Sequence, residues 1–139
     1  MLRVEHIATW YGPVQALSDV SLTVEAGEVV ALMGRNGMGK TTTIRSILQM
    51  TPHAAGLVTF DAYDLRGVPP HRAARLGLGL VPEGRRVFPN LTVSENLLAS
   101  ARPGAFGRGA VEALFPRLAE RRRQMAGTLS GGEQQMLAI

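Results

Sequence analysis

The chain has 139 residues, 45% hydrophobic and 19% charged, with no cysteine and an aromatic share of 5%. That is enough apolar material for a core of ordinary domain size; it excludes disulfide scaffolds and thiolate metal sites, and no apolar run approaches the roughly 18–20 residues of a membrane-spanning helix. Fifteen basic against eleven acidic residues leave +4, a balance that suits a nucleic-acid or anionic-lipid partner or, since most arginines are scattered, ordinary solvated faces. In chain order, Leu2 to Thr9 alternates loosely and reads as a strand, with a turn at Trp10-Tyr11-Gly12-Pro13. Val20 to Val24 alternates cleanly as a half-buried strand. Val29-Val30-Ala31-Leu32-Met33 is a continuous apolar run, expected as a strand buried on both faces of a parallel sheet. Lys40 to Met50 carries Ile44, Ile47 and Leu48 at helical spacing, stopped by Thr51-Pro52. Leu57 to Phe60 reads as another strand.

The second half changes texture. Pro69-Pro70 opens a helix through Arg75, and Leu76 to Val81 reads as an apolar strand closed by Pro82. Thr92-Val93-Ser94-Glu95 matches a capping box, which predicts a helix to about Ser100. Arg102 to Gly109 reads as a loop rich in Pro and Gly. The next helix is expected to place Val111, Leu114, Phe115 and Leu118 on one face, with Arg121-Arg122-Arg123 beyond its end. Strands and helices alternating around one buried strand argue for an α/β fold, with a mostly helical part after Pro82.

Gly34-Arg35-Asn36-Gly37-Met38-Gly39-Lys40-Thr41 fits G-x-x-x-x-G-K-[ST] between the apolar run and the helix. Glycines permit positive φ and let amides curl around a phosphate. The helix N-terminus offers free N–H groups and a positive dipole end, to which Thr42 also belongs. Lys40 is the only lysine of the chain; it suits a mobile point charge between the β- and γ-phosphates, and Thr41 suits a hydroxyl ligand for Mg2+. This pattern points to a nucleotide site without separating GTPases, kinases, helicases and transporter ATPases. Further on, Leu129-Ser130-Gly131-Gly132-Glu133-Gln134-Gln135 offers a second capping box, Ser130 with Glu133. It reads equally as an ordinary capped helix or as a second phosphate-facing helix N-terminus.

The two motifs together resemble the ATP-binding subunit of ABC transporters, the second being similar to their signature sequence. That resemblance implies an α/β fold: a P-loop NTPase (RecA-like) core with an N-terminal antiparallel β part and a helical subdomain, truncated here. It implies that Ser130, Gly131, Gly132 and Glu133 face the ATP held by a partner subunit, two subunits sandwiching two ATP molecules head to tail. Tyr11 corresponds to the aromatic that stacks on adenine, with Ala16 a weaker contact and Trp10 the competitor. Glu83, in Val81-Pro82-Glu83-Gly84-Arg85-Arg86, falls where the family usually has a glutamine that senses Mg2+ and the γ-phosphate. It is therefore a candidate metal and catalytic residue beside Lys40, with Arg85 or Arg86 available to offset its charge; a plain surface-loop residue is the alternative. Glu83 and Glu133 both depart from the commonest family pattern, glutamine.

The stretches V-P-E-G-R-R-V-F-P-N-L-T-V-S-E-N-L-L and L-S-G-G-E-Q-Q-M-L-A-I narrow the similarity to branched-chain amino acid importers (LivF-like), and less so to urea or amide importers. The implied partners are a second ATPase subunit, transmembrane permease subunits and, indirectly, a substrate-binding protein, at the cytoplasmic face of the inner membrane. No nucleic acid is expected, although a soluble ABC ATPase acting on nucleic acid or ribosomes and a monomeric P-loop kinase are the competing classes. The chain has no apolar run followed by Asp-Glu and no histidine after the signature; His6, His53 and His71 read as surface or structural. Residues 1–139 thus read as a single incomplete ABC ATPase domain, with the nucleotide-binding core in 1–82 and the linking loop, helical subdomain and signature in 83–139. Such a piece is expected to bind ATP, to hydrolyse it poorly and to be poorly soluble.

Overall fold

Alternating apolar positions in Leu2–Tyr11 (β1) and Val14–Val24 (β2) pair antiparallel across the Gly12-Pro13 turn. Both strands are longer than the alternation alone suggests, because the pairing carries Trp10, Tyr11, Val14 and Gln15 into the ladder. Ala55–Phe60 (β3) pairs antiparallel with the other edge of β1, and a short return, Tyr63–Asp64 (β4), completes a sheet of order β2-β1-β3-β4. The β1–β3 ladder shifts register between Glu5 and Ala8. There His6 adopts φ +50°, and a Cβ on Gly56 would lie 2.5 Å from the Glu5 and His6 carbonyl oxygens, so the bulge requires glycine opposite it.

The computed structural model describes residues 1–52, 55–101 and 107–139; His53 and the first part of the expected 102–109 loop lie outside them. The chain forms two compact units, Met1–Leu80 and Val81–Ile139. In the first, the helix Lys40–Ile47 (α1) packs on the sheet, whose core is Val4, Ile7, Leu17, Val58 and Leu65 with Ile47 against it. A second helix, Pro70–Arg75 (α2), starts on proline, whose fixed φ suits a first helical turn.

In the second unit Val93–Ser100 (α3) carries the expected capping box in both directions. The single helix expected around residues 111–118 is instead two, Arg108–Leu114 (α4) and Pro116–Glu120 (α5). Pro116 has no N–H to continue the ladder, so α4 stops before it. Leu118 is buried as expected, whereas Leu114 stays 61% exposed because the break turns it off the shared face. A tight turn of helix at Ala126–Thr128 leads to Gly131–Ala138 (α6). Val93, Leu118, Ala126 and Leu129 form the core of this unit.

Two expected strands are absent. Val29–Met33 forms no ladder and is open to solvent, with Val29 95% and Met33 86% exposed. Leu76–Val81 is likewise unpaired. A strand exists only through a partner's hydrogen bonds and a covering layer, and neither run finds a partner strand among the described residues. The ladder that does form is antiparallel throughout.

Candidate nucleotide site

The phosphate-loop segment turns on three glycines with positive φ: Gly34 at 153°, Gly37 at 84° and Gly39 at 85°. Gly39 is the left-handed N-cap of α1. A Cβ there would lie 2.6 Å from Leu17 Cδ2 and 3.1 Å from the Ala16 carbonyl oxygen, so glycine alone lets α1 begin against β2. The Met38 amide donates to Arg35 O at 3.3 Å and closes the loop. Lys40 Nζ donates to Gly34 O at 2.7 Å and Arg35 O at 2.9 Å, which holds the ammonium against the loop's own backbone.

Among the described residues the amides of Lys40 and Thr41 have no acceptor within the chain. They are the donors that a helix N-terminus leaves over, at its positive dipole end. Arg35, Asn36, Met38 and Thr41 are exposed and Thr42 is half-buried. Two buried contacts fasten the helix beneath them. Thr43 Oγ1 donates to Gly39 O at 3.0 Å, and the hydroxyls of Thr9 and Ser46 meet at 3.0 Å between β1 and α1. The result is a set of fixed N–H donors and one cation, built to receive a polyanion. Among the described residues no three His, Cys, Asp or Glu side chains gather to hold a metal; the exposed Thr41 hydroxyl is the oxygen ligand that this segment itself offers to a cation.

Tyr11 ends β1, 45% exposed as a residue, with its hydroxyl 3.4 Å from Thr51 Oγ1. Hydrogen bonding to Thr51, with Thr42 and Arg45 also facing the oxygen, holds the phenol below its ordinary range. Trp10 is 39% exposed. Ala16 is half-buried beside Gly39.

The signature segment belongs to the second unit. Ser130 caps α6: its hydroxyl accepts from the Glu133 amide at 3.3 Å, and its own amide donates to Glu133 Oε2 at 2.9 Å. The other Glu133 oxygen, Oε1, pairs with Arg121 Nε at 2.8 Å. Hydrogen bonds from Ser130, with Arg121 and Arg117 nearby, hold the Glu133 carboxyl below the ordinary carboxylate range. Glu133 therefore engages its own chain with both oxygens. Gly132 is exposed with open space where a Cβ would stand, whereas a Cβ on Gly131 would collide with the Arg85 guanidinium. Glu83 is exposed in the loop after Pro82. It forms no ion pair among the described residues, with Arg85 or with Arg86, and Arg85 lies against Gly131.

Sequence reasoning passed over Arg121, since charge runs are mostly solvated, and gave Arg85 a different partner. For Arg121 the available signal was Glu133: a carboxylate placed by a capping box has a second oxygen that needs a partner. The family model described as ABC transporter matches residues 17–139. The chain belongs to that family. It is 46% identical over 147 residues to the high-affinity branched-chain amino acid transport ATP-binding protein BraG of Pseudomonas aeruginosa, covering 100% of this chain and 62% of the relative. It is 36% identical over 145 residues to the probable branched-chain amino acid transport ATP-binding protein LivF of Archaeoglobus fulgidus, covering 100% and 61%. A bacterial ABC transporter cassette solved as a dimer superposes with a TM-score of 0.78 at 25% identity, over 100% of this chain and 67% of the other. The ABC-family chain thus spans about three-fifths of the length of the two curated relatives.

Proposed function

We propose that the whole protein is the ATP-hydrolysing subunit of an ABC importer for branched-chain amino acids, peripheral at the cytoplasmic face of the inner membrane. The observation that carries the nucleotide part is the loop before α1, where glycine-only geometry, unpaired amides and Lys40 converge. The importer part rests on the names of the two relatives matched over the whole chain. In this reading Gly34 to Thr42 cradle the phosphates of ATP, and Lys40 exchanges its two loop carbonyls for phosphate oxygens. Thr41 is the candidate Mg2+ contact of the loop, and resemblance to the family makes Glu83 a further candidate; the ion would neutralise phosphate charge when bound. The exposed Tyr11 ring, steadied at its hydroxyl, offers a face for adenine.

Ser130, Gly131 and Gly132 serve the ATP of a second ATPase subunit, and permease subunits take up the motion, with a substrate-binding protein acting through them. No acidic pair follows an apolar run in these 139 residues, so hydrolysis is proposed for the whole protein and ATP binding for the residues in hand. Lys40→Ala tests the reading: calorimetric titration with ATP is expected to show tight binding lost, and retained affinity would place the nucleotide elsewhere.

A further inference from the structure

Around the signature, ion pairs and hydrogen bonds converge on one turn. Arg121, just past α5, sends Nε to Glu133 Oε1 at 2.8 Å and Nη1 to Gln124 Oε1 at 2.9 Å. Gln124 Nε2 in turn donates to Thr128 O at 3.2 Å and Thr128 Oγ1 at 3.0 Å, just ahead of Ser130. The turn itself is held from behind: the amides of Val93 and Ser94 each donate at 3.0 Å, to Gln124 O and Arg122 O, and Arg122 meets Glu112 Oε2 at 3.3 Å. The Glu133 side chain is only 13% exposed and that of Arg121 39%. A carboxylate at this position would repel any phosphate that approached Ser130, unless a cation stood beside it.

We propose that Arg121 is a positioning residue for the signature serine, holding Glu133 and through it the Ser130 cap, and neutralising the one carboxylate at the phosphate-facing end of α6. Glu133, where the family commonly has glutamine, is then a link to the cation and not a contact to the partner's nucleotide. The inference rests on the reading that Ser130 meets the ATP of a second subunit. Arg121 acts through two side chains of its own unit, Glu133 and Gln124.

A charge-reversible cycle in the whole protein separates positioning from mere folding. Arg121→Gln keeps most of the stem but leaves Glu133 charged and unpaired, and is expected to lower ATP turnover roughly tenfold, the scale of coupling within one ion-pair network. ATP affinity at the Lys40 loop stays unchanged. Adding Glu133→Gln removes the stranded charge and restores most of the turnover, while Arg121→Lys, which retains the cation, loses little. Arg123→Ala, an exposed neighbour outside any ion pair among the described residues, leaves turnover at the wild-type level. Strictly additive effects of Arg121→Gln and Glu133→Gln, or an equal loss in Arg123→Ala, would overturn the proposal. If Ser130→Arg also left turnover intact, the fault would lie in the family reading of Ser130; if it abolished turnover while the cycle was additive, only the role of Arg121 would fall.

Discussion

At the scale of single residues, the nucleotide loop is an arrangement that one added carbon would spoil. Gly39 has φ +85° and faces Leu17 and Ala16 at distances a Cβ cannot share, whereas Gly37 has φ +84° and open space around it. Gly39→Ala therefore combines backbone strain with overlap. It is expected to cost about 2–3 kcal/mol of stability and most of the ATP affinity. Gly37→Ala bears only the strain and should cost about 1 kcal/mol. Urea unfolding and ATP titration of the two variants check the ordering, and equal losses would mean that the contact with β2 does not govern where α1 starts. Lys40 illustrates a different economy: its ammonium rests on two backbone carbonyls, so an arriving phosphate replaces existing hydrogen bonds and needs no desolvation of a bare charge.

At the scale of elements, caps decide more than helix propensity. α3 and α6 are each eight residues long, too short to persist by propensity alone. Both begin with a reciprocal capping box, Thr92 with Glu95 and Ser130 with Glu133. Thr92→Ala should destabilise the second unit by about 1 kcal/mol in urea unfolding. The two boxes also set an acid limit. Hydrogen bonds from Thr92 hold the Glu95 carboxyl below its ordinary range, as those from Ser130 do for Glu133. A folded value below the unfolded one means that the contribution is complete above the ordinary carboxylate range and fades as pH falls through the lowered folded value. Stability of this unit, followed by circular dichroism, should therefore fall in acid with protonation of these two carboxyls. A flat profile there in wild type, matched by Glu95→Gln, would contradict it.

Elements were legible in the sequence where the signal was local. The two capping boxes, the proline start of α2 and the existence of β1, β2 and β3 depend on neighbours a few residues apart and were read, although the strands run further than the sequence signal did. What depended on distant partners was not legible. Val29–Met33 has the composition of a buried strand, but composition cannot supply the ladder that makes it one. Pro116, read only for helical periodicity, divides a helix by removing a single donor. The phosphate loop was legible because glycine spacing encodes backbone geometry directly. The role of Arg121 was not, since an arginine run looks the same whether it is solvated or paired.

At the scale of the molecule, the two family motifs fall in different units, each with its own core: Lys40 in Met1–Leu80 and Ser130 in Val81–Ile139. The net charge of +4 takes on a more specific meaning at this scale. Arg121 is bound to Glu133 and Arg122 to Glu112, so two of the three arginines of the longest basic run are spent on ion pairs within the second unit. Val29 and Met33 leave an apolar stretch at the surface of the first unit. Function in the proposed reading is shared between chains: a loop that holds ATP in one subunit and a capped serine that completes the site from the other. The most direct measurement of that claim is steady-state ATP hydrolysis by the whole protein carrying Ser130→Arg, with ATP binding measured in parallel. The account predicts binding retained and turnover nearly lost; turnover at the wild-type rate would contradict it.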